Sequence, residues 1–275
     1  MDPIAFQFGP FTVHWYGVMI ALGFLAGLWT ASHRARREGI SPEAVFDVGV
    51  WLIIGGILGG RVLYVITYWK QHFEGNLLEV FMIHHGGLVF YGGLIGAVLL
   101  GIIFLRRKQL PLWQMTDILV PGVALGSFFG RAGCFLNGCC YGRDCALPWA
   151  VRYPYGHDTY GQSVHPSQLY DSLLNLVLYG VLVWIYRRKR FDGQVFACYL
   201  IGYAILRSIV ELFRGDYPEN QTLLGGWLTP AHLVSAGILA VGVSLFLLLP
   251  RRRVLRPATD MGKAVARNTG KSKME

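Results

Sequence analysis

Charge is what this sequence has least of. Only 15% of its 275 residues are Asp, Glu, Lys or Arg, against 53% hydrophobic residues and a mean hydropathy of +0.42. A soluble domain of this length carries a larger charged surface, so that class is set aside. Segments of about ten residues with alternating polarity are also missing, which excludes an outer-membrane barrel. No internal repeat is visible, which weighs against an inverted-repeat transporter. No basic stretch precedes Trp15–Thr30, so no cleavable signal peptide is expected. The cysteines form no C-x-x-C pair, the usual spacing of structural zinc and of disulfide oxidoreductases.

What the sequence does have is long apolar runs. Trp15–Thr30, Val48–Thr67, Gly87–Leu105, Trp113–Leu136, Leu169–Tyr186, Val195–Phe213 and Leu228–Leu249 are mostly long enough to cross roughly 30 Å of hydrocarbon as helices. The fold expected is an all-α polytopic membrane protein of about seven transmembrane helices. Residues 1–250 form a single transmembrane domain, with a loop region at 137–168. Residues 251–275 form a basic, disordered tail.

Positive charge is unevenly placed. It gathers at Arg34, Arg36 and Arg37, at Arg106, Arg107 and Lys108, at Arg187–Arg190, and from Arg251 onward. The intervening loops hold little: Lys70, Arg143, Arg152 and Arg214. By the positive-inside rule the N-terminus lies outside, the C-terminus is cytoplasmic, and the 137–168 loop is on the outer face. The net charge of +9 is then a matter of orientation and anionic lipid, and nucleic acid is not a partner.

Glycine is abundant, at 35 residues, and often recurs every fourth position: Gly23/Gly27, Gly55/Gly59, Gly92/Gly96 and Gly122/Gly126/Gly130. That spacing brings helix backbones together in lipid. The run GGLVFYGGLIG at 86–96 is denser than packing needs, and its glycines around Tyr91 equally suit close approach of a ligand.

Ionisable groups inside a membrane cost about 2.5–3.5 kcal/mol each at the bilayer centre, so each calls for a reason. They are Asp47, Arg61, Asp117, Arg131, Asp171, Arg207 and Glu211, with Arg214 at the end of the sixth span. Asp47 and Asp117 suit structural pairing. In the sixth span Tyr203, Arg207 and Glu211 follow one another at helical spacing, and Arg214 is expected on the same stripe. One Arg–Glu pair neutralises itself; the stripe leaves a spare guanidinium and a phenol. With Arg131 this gives an arginine-lined place near the outer leaflet. Arginine's planar fork suits a phosphate, and in a membrane the phosphate belongs to a phospholipid.

The clustered cysteines are Cys134, Cys139, Cys140 and Cys145; Cys198 lies within a span as a small core residue. On an oxidising outer face, Cys139–Cys145 or Cys140–Cys145 disulfides are one reading, and a metal helped by His157 or His165 is a lesser one. Sequence does not reveal the pairing.

These segments together resemble the bacterial prolipoprotein diacylglyceryl transferases. The likeness runs through HWYG at 14–17, LGGR at 58–61, GGLVFYGGLIG at 86–96, GRAGCFLNGCCYG at 130–142, HPSQLYD at 165–171 and IGYAILRSIVELFR at 201–214. It implies a multi-pass protein of the bacterial cytoplasmic (inner) membrane. The implied reaction transfers the diacylglyceryl group of phosphatidylglycerol to the lipobox cysteine thiol of a preprolipoprotein. A thioether forms and glycerol 1-phosphate leaves. By motif position Arg131 and Arg207 correspond to the essential arginines, with Glu211, Tyr203 and Arg214 beside them. Tyr16, Asn137 and Gly142 fall on positions the family uses around its cavity, and Arg61, in LGGR, joins the substrate-binding set. The chain departs from the family pattern at three positions: Cys134 stands for an Asn, Cys139 for a Glu, and Tyr91 for a histidine.

The mechanism expected is displacement at a glycerol carbon by a thiolate, with arginines holding the phosphodiester and the departing phosphate. The base is Tyr91, Tyr203, Glu211 or the arginine-held phosphate; His14, His84, His85 and His165 are weaker candidates. No metal or organic cofactor is called for. The competing readings are a transporter or channel, a membrane thiol oxidoreductase, and a related lipid transferase with another acceptor.

Overall fold

The computed structural model describes residues 4–9, 11–75, 77–83, 86–215 and 229–250. Among them are seven helices long and apolar enough to cross a membrane: α1 (Trp15–Arg37), α2 (Pro42–Thr67), α3 (Phe90–Arg107), α4 (Leu112–Asn137), α5 (Ser167–Tyr186), α6 (Gln194–Glu211) and α7 (Pro230–Leu248). The protein is a multi-pass helical membrane protein. The basic tail at 251–275 lies outside the described residues, as do His84, His85 and 216–228.

Four short elements go beyond the seven expected helices. Ile4–Phe8 (β1) and Phe11–His14 (β2) pair as an antiparallel hairpin ahead of α1. Between α2 and α3 the chain makes a π-helical turn at Trp69–Phe73 and a 3-10 turn at Leu77–Phe81. The helices also run past the apolar windows where a charged end stays helical. α1, for instance, continues to Arg37 and stacks Arg34, Arg36 and Arg37 on its last turn, where cations favour the helix dipole.

Glycine decides which helices pair closely. α1 runs antiparallel to α4, with Gly23 against Gly126 and Gly27 against Gly122. α2 runs antiparallel to α3 through Gly55 and Gly59 against Gly92 and Gly96. A Cβ on Gly55 would lie 2.5 Å from the Gly96 carbonyl oxygen, and one on Gly96 would meet Gly55 O and, at 2.8 Å, Gly59 Cα. Backbone cannot yield there as a side chain would. Gly96→Val is expected to cost at least the roughly 1–3 kcal/mol of an overpacked core site. A thermal melt in detergent checks this; an unchanged Tm would contradict the contact. These glycines in 86–96 therefore serve packing.

The basic end of the bundle carries its own polar cluster. Asp117 of α4 is fully buried, accepting from Gly193 N–H at 2.8 Å and Phe196 N–H at 2.9 Å. It thus caps the N-terminus of α6 from another helix, satisfying donors that a helix start leaves open. Lys189 bonds Glu38 at 2.8 Å and stands 3.8 Å from Asp117, while Arg34 donates to Ile118 O at 2.6 Å. Burial pushes the Glu38 carboxyl up, but hydrogen bonds from Lys189, Gln114 and Tyr186 outweigh it and leave it below its ordinary value. That contribution to stability is present at neutral pH and fades as pH falls through the lowered value. Asp47 is exposed in the second turn of α2. Intramembrane charge is thus split between the two ends of the bundle.

Candidate active site

The opposite end gathers most of the residues singled out in the sequence. α4 reaches it with Arg131 in its last turns and stops after Asn137, where Gly138 takes a left-handed φ of 75°. Gly138 N–H bonds to Phe135 O at 3.1 Å and Cys139 N–H to Cys134 O at 3.2 Å. This Schellman pattern ends the helix and folds the next residues back over its last turn. α1 comes close on the other side: a Cβ on Gly133 would meet Tyr16 and Met19 of α1. Tyr16 thereby lies within electrostatic range of Arg131.

Arg131 is held from α5. Its Nε lies 2.8 Å from Asp171 Oδ2, and Asn175 Nδ2 donates to Asp171 Oδ1 at 2.7 Å. The Arg131 side chain remains 29% accessible and is within electrostatic range of Arg214. A positioned guanidinium with open donors beside a second one is what an incoming phosphate requires. Asp171 was read in the sequence only as an intramembrane charge; its place in HPSQLYD was the available signal.

On α6, Arg207 Nη1 stands 2.6 Å from Glu211 Oε2. Glu211 is 1% exposed, and its other oxygen accepts from Thr229 Oγ1 at 2.7 Å. Thr229 also caps α7 with His232, so α6, the Arg–Glu pair and α7 are tied at one point. Tyr203 stacks on Tyr199 at 5.9 Å, and Tyr199 is within electrostatic range of Asp171. Arg214 departs from the expected stripe. α6 closes at Glu211, and tight turns carry the chain to Arg214, which forms a β-bridge with Gly142. Its position is therefore fixed by the 137–168 loop as well as by α6.

Gly142 is the crossing point of that loop. Its N–H donates to His165 O at 3.0 Å, and a Cβ there would stand 2.6 Å from both His165 Cβ and Phe213 O. Asn137 closes α4, and the Cys139 thiol lies 3.7 Å from Cys134 O. The loop is bound down elsewhere by Gln168 Nε2, which donates to Cys139 O at 2.7 Å and to Tyr153 Oη at 2.9 Å, and by Ser167 Oγ to Cys140 O at 2.9 Å. Burial pushes the Tyr153 phenol up, so it stays neutral against the amide. His157 stacks on Tyr153 at 4.1 Å, and its ring nitrogens face Gly138 O and Thr159 Oγ1.

Two sequence candidates stand differently from the rest. Arg61 is 6% exposed and donates to the carbonyls of Glu79, Val80, Met82, Gly86 and Gly87. Its guanidinium holds the segment before α3 in place. Tyr91 opens α3 at 63% exposure, with Phe90 as its ring neighbour. It is the more accessible of the two phenols named as bases.

The cysteines also differ from expectation. All five are free thiols, and Cys145 is buried away from the others, against Ser163 O and Leu147 N–H. The three that meet are Cys134, Cys139 and Cys140, whose Sγ atoms lie within 4.8 Å of one another. The folded-back chain end after α4, not the C-x4-C spacing, decides which thiols are neighbours.

Seven apolar helices, with an arginine-bearing polar cluster at the end opposite the basic loops, define a multi-pass membrane protein. The prolipoprotein diacylglyceryl transferase family model matches residues 3–248, and the chain belongs to that family. Among its relatives is a phosphatidylglycerol–prolipoprotein diacylglyceryl transferase of Chromohalobacter salexigens, 37% identical over 89% of this chain and 91% of the relative. A protein of the same name from Synechococcus elongatus is 39% identical over 88% and 85%, respectively. One from Nitratidesulfovibrio vulgaris strain Hildenborough is 34% identical over 97% and 98%.

Proposed function

We propose that this protein is a transferase of the bacterial cytoplasmic (inner) membrane. It moves the diacylglyceryl group of phosphatidylglycerol to the lipobox cysteine thiol of a preprolipoprotein signal peptide, releasing glycerol 1-phosphate. The observation that carries the reading is Arg131, aimed by Asp171, partly open, and within electrostatic range of Arg214 in a chain of this family. The attacking thiolate forms a C–S bond at a glycerol carbon as the C–O bond to phosphate breaks. A phosphate held by guanidinium groups leaves more readily, because the charge it gains is stabilised in a water-poor site. The ordinary thiol value near 8.5 makes the thiolate accessible at modest cost. Holding lipid and thiol together supplies much of the remaining acceleration. Tyr16, Asn137, Gly142 and Tyr203 are assigned to substrate binding with Arg131 and Arg207, and Arg61 acts through the loop it shapes.

Glu211 is the weakest choice of base, since Arg207 and Thr229 occupy its oxygens. Tyr91, with its open phenol, is the better one. Tyr91→Phe is expected to lower kcat by about 10²-fold or more with KM little changed, the scale of a lost general base. An unchanged rate would remove the phenol from proton transfer. The reading as a whole is tested by incubating the purified protein with phosphatidylglycerol and a lipobox peptide. Thioether peptide and free glycerol phosphate should appear together; a folded protein yielding neither would refute it.

A further inference from the structure

The transfer reaction as proposed assigns no task to the Cys134, Cys139 and Cys140 thiols, yet their arrangement is built rather than incidental. The Schellman bonds bring Cys139 over Cys134. Cys140 adopts a left-handed φ of 64°, a conformation L side chains seldom take. The carbonyls of Cys139 and Cys140 are pinned by Gln168, 1% exposed, and Ser167, also 1% exposed, from the first turn of α5. Backbone on both sides of the trio is thus fixed before any ligand arrives.

The sulfur separations suit a single ion. Three sulfurs around a metal at about 2.3 Å stand about 4 Å apart, and these lie within 4.8 Å of one another. The trio has no fourth Cys, His, Asp or Glu among the described residues. Of the two nearby histidines, His157 is engaged by Gly138 O and Thr159, and His165 Nδ1 faces Tyr170 Oη at 3.2 Å. A three-sulfur set without a fourth protein ligand departs from the closed four-ligand shell of structural zinc and suits a soft ion content with three thiolates. Charge agrees. Three thiolates on a monovalent ion remain net negative, and Arg131 lies within electrostatic range of Cys134 and Cys140.

We propose that Cys134, Cys139 and Cys140 form a binding site for a soft, thiophilic cation of the copper(I) class, adjoining Arg131. On binding, each thiol gives its proton to solvent and its sulfur lone pair to the ion; no electron changes hands. The site is independent of the transferase reading, since the test below measures metal and not lipid transfer.

The full chain, purified in detergent without oxygen and freed of reductant, is titrated with copper(I) against bicinchoninate as competing chelator. The protein should withdraw a single ion and develop thiolate-to-copper absorption in the ultraviolet. C134S/C139S/C140S should lose both signals, and C145S/C198S should keep them. Copper left entirely with the chelator, or equal binding by the triple variant, overturns the proposal. Should the triple variant fold poorly, alkylation of the unaltered protein decides. Copper should shield Cys134, Cys139 and Cys140 from iodoacetamide, and equal labelling with and without copper overturns the site. Isolation of the trio as a disulfide that opens only with reductant would equally overturn it.

Discussion

Arg131→Ala is expected to reduce transfer by at least 10²–10³-fold, the loss seen when one preorganised donor to a developing charge is removed. The guanidinium offers several donors, and its position is set by the 2.8 Å contact with Asp171, so more than one interaction disappears. Asp171, 6% exposed, loses its cation but keeps its 2.7 Å bond from Asn175, so some thermal stability should go with the activity and the rate is to be compared on folded protein. Arg131→Lys retains the charge but loses the fork, so it should recover only part of the rate. Asp171→Asn separates holding from binding: Arg131 stays but is no longer aimed, which should lower kcat more than it raises KM. Full activity in purified, folded Arg131→Ala would end the phosphate-clamp role.

Much of the architecture was legible in the sequence because a bilayer imposes it. A run long enough to span hydrocarbon must close its own hydrogen bonds, so the seven helices followed from length alone. Helix ends were less legible, since Arg34, Arg36 and Arg37 are polar yet remain helical at the dipole's favoured end. The hairpin at Ile4–His14 is only faintly marked, by IAFQF and FTVH as two short strand-like runs on either side of Gly9-Pro10. At the site, motif order picked out Arg131, Arg207 and Glu211. Their partners were not legible, because Asp171 lies far along the chain from Arg131 and Thr229 joins Glu211 from the next helix. For Arg61 too the sequence shows the intramembrane charge but not the carbonyls of Glu79, Val80, Met82, Gly86 and Gly87 that accept from it.

Those partners change what Arg207→Ala should do. An essential arginine that only held phosphate would, when removed, abolish transfer and leave the fold intact. In the structure Arg207 neutralises a carboxylate that is 1% exposed, with Thr229 as its other partner. Removing the guanidinium leaves Glu211 charged and buried, a change that costs about 3–5 kcal/mol in buried pairs. Because Thr229 caps α7, that strain reaches the contact between α6 and α7. Arg207→Ala is therefore expected to lose both activity and thermal stability, and activity alone would misattribute the effect. The informative variant is Arg207→Met with Glu211→Gln, which removes both charges and keeps an acceptor for Thr229. It should regain most of the Tm lost by Arg207→Ala while transfer stays at least 10²-fold down, because the donor to phosphate is still missing. Recovery of the rate along with the Tm would reduce Arg207 to a structural counter-ion. The phosphate would then rest on Arg131 and Arg214.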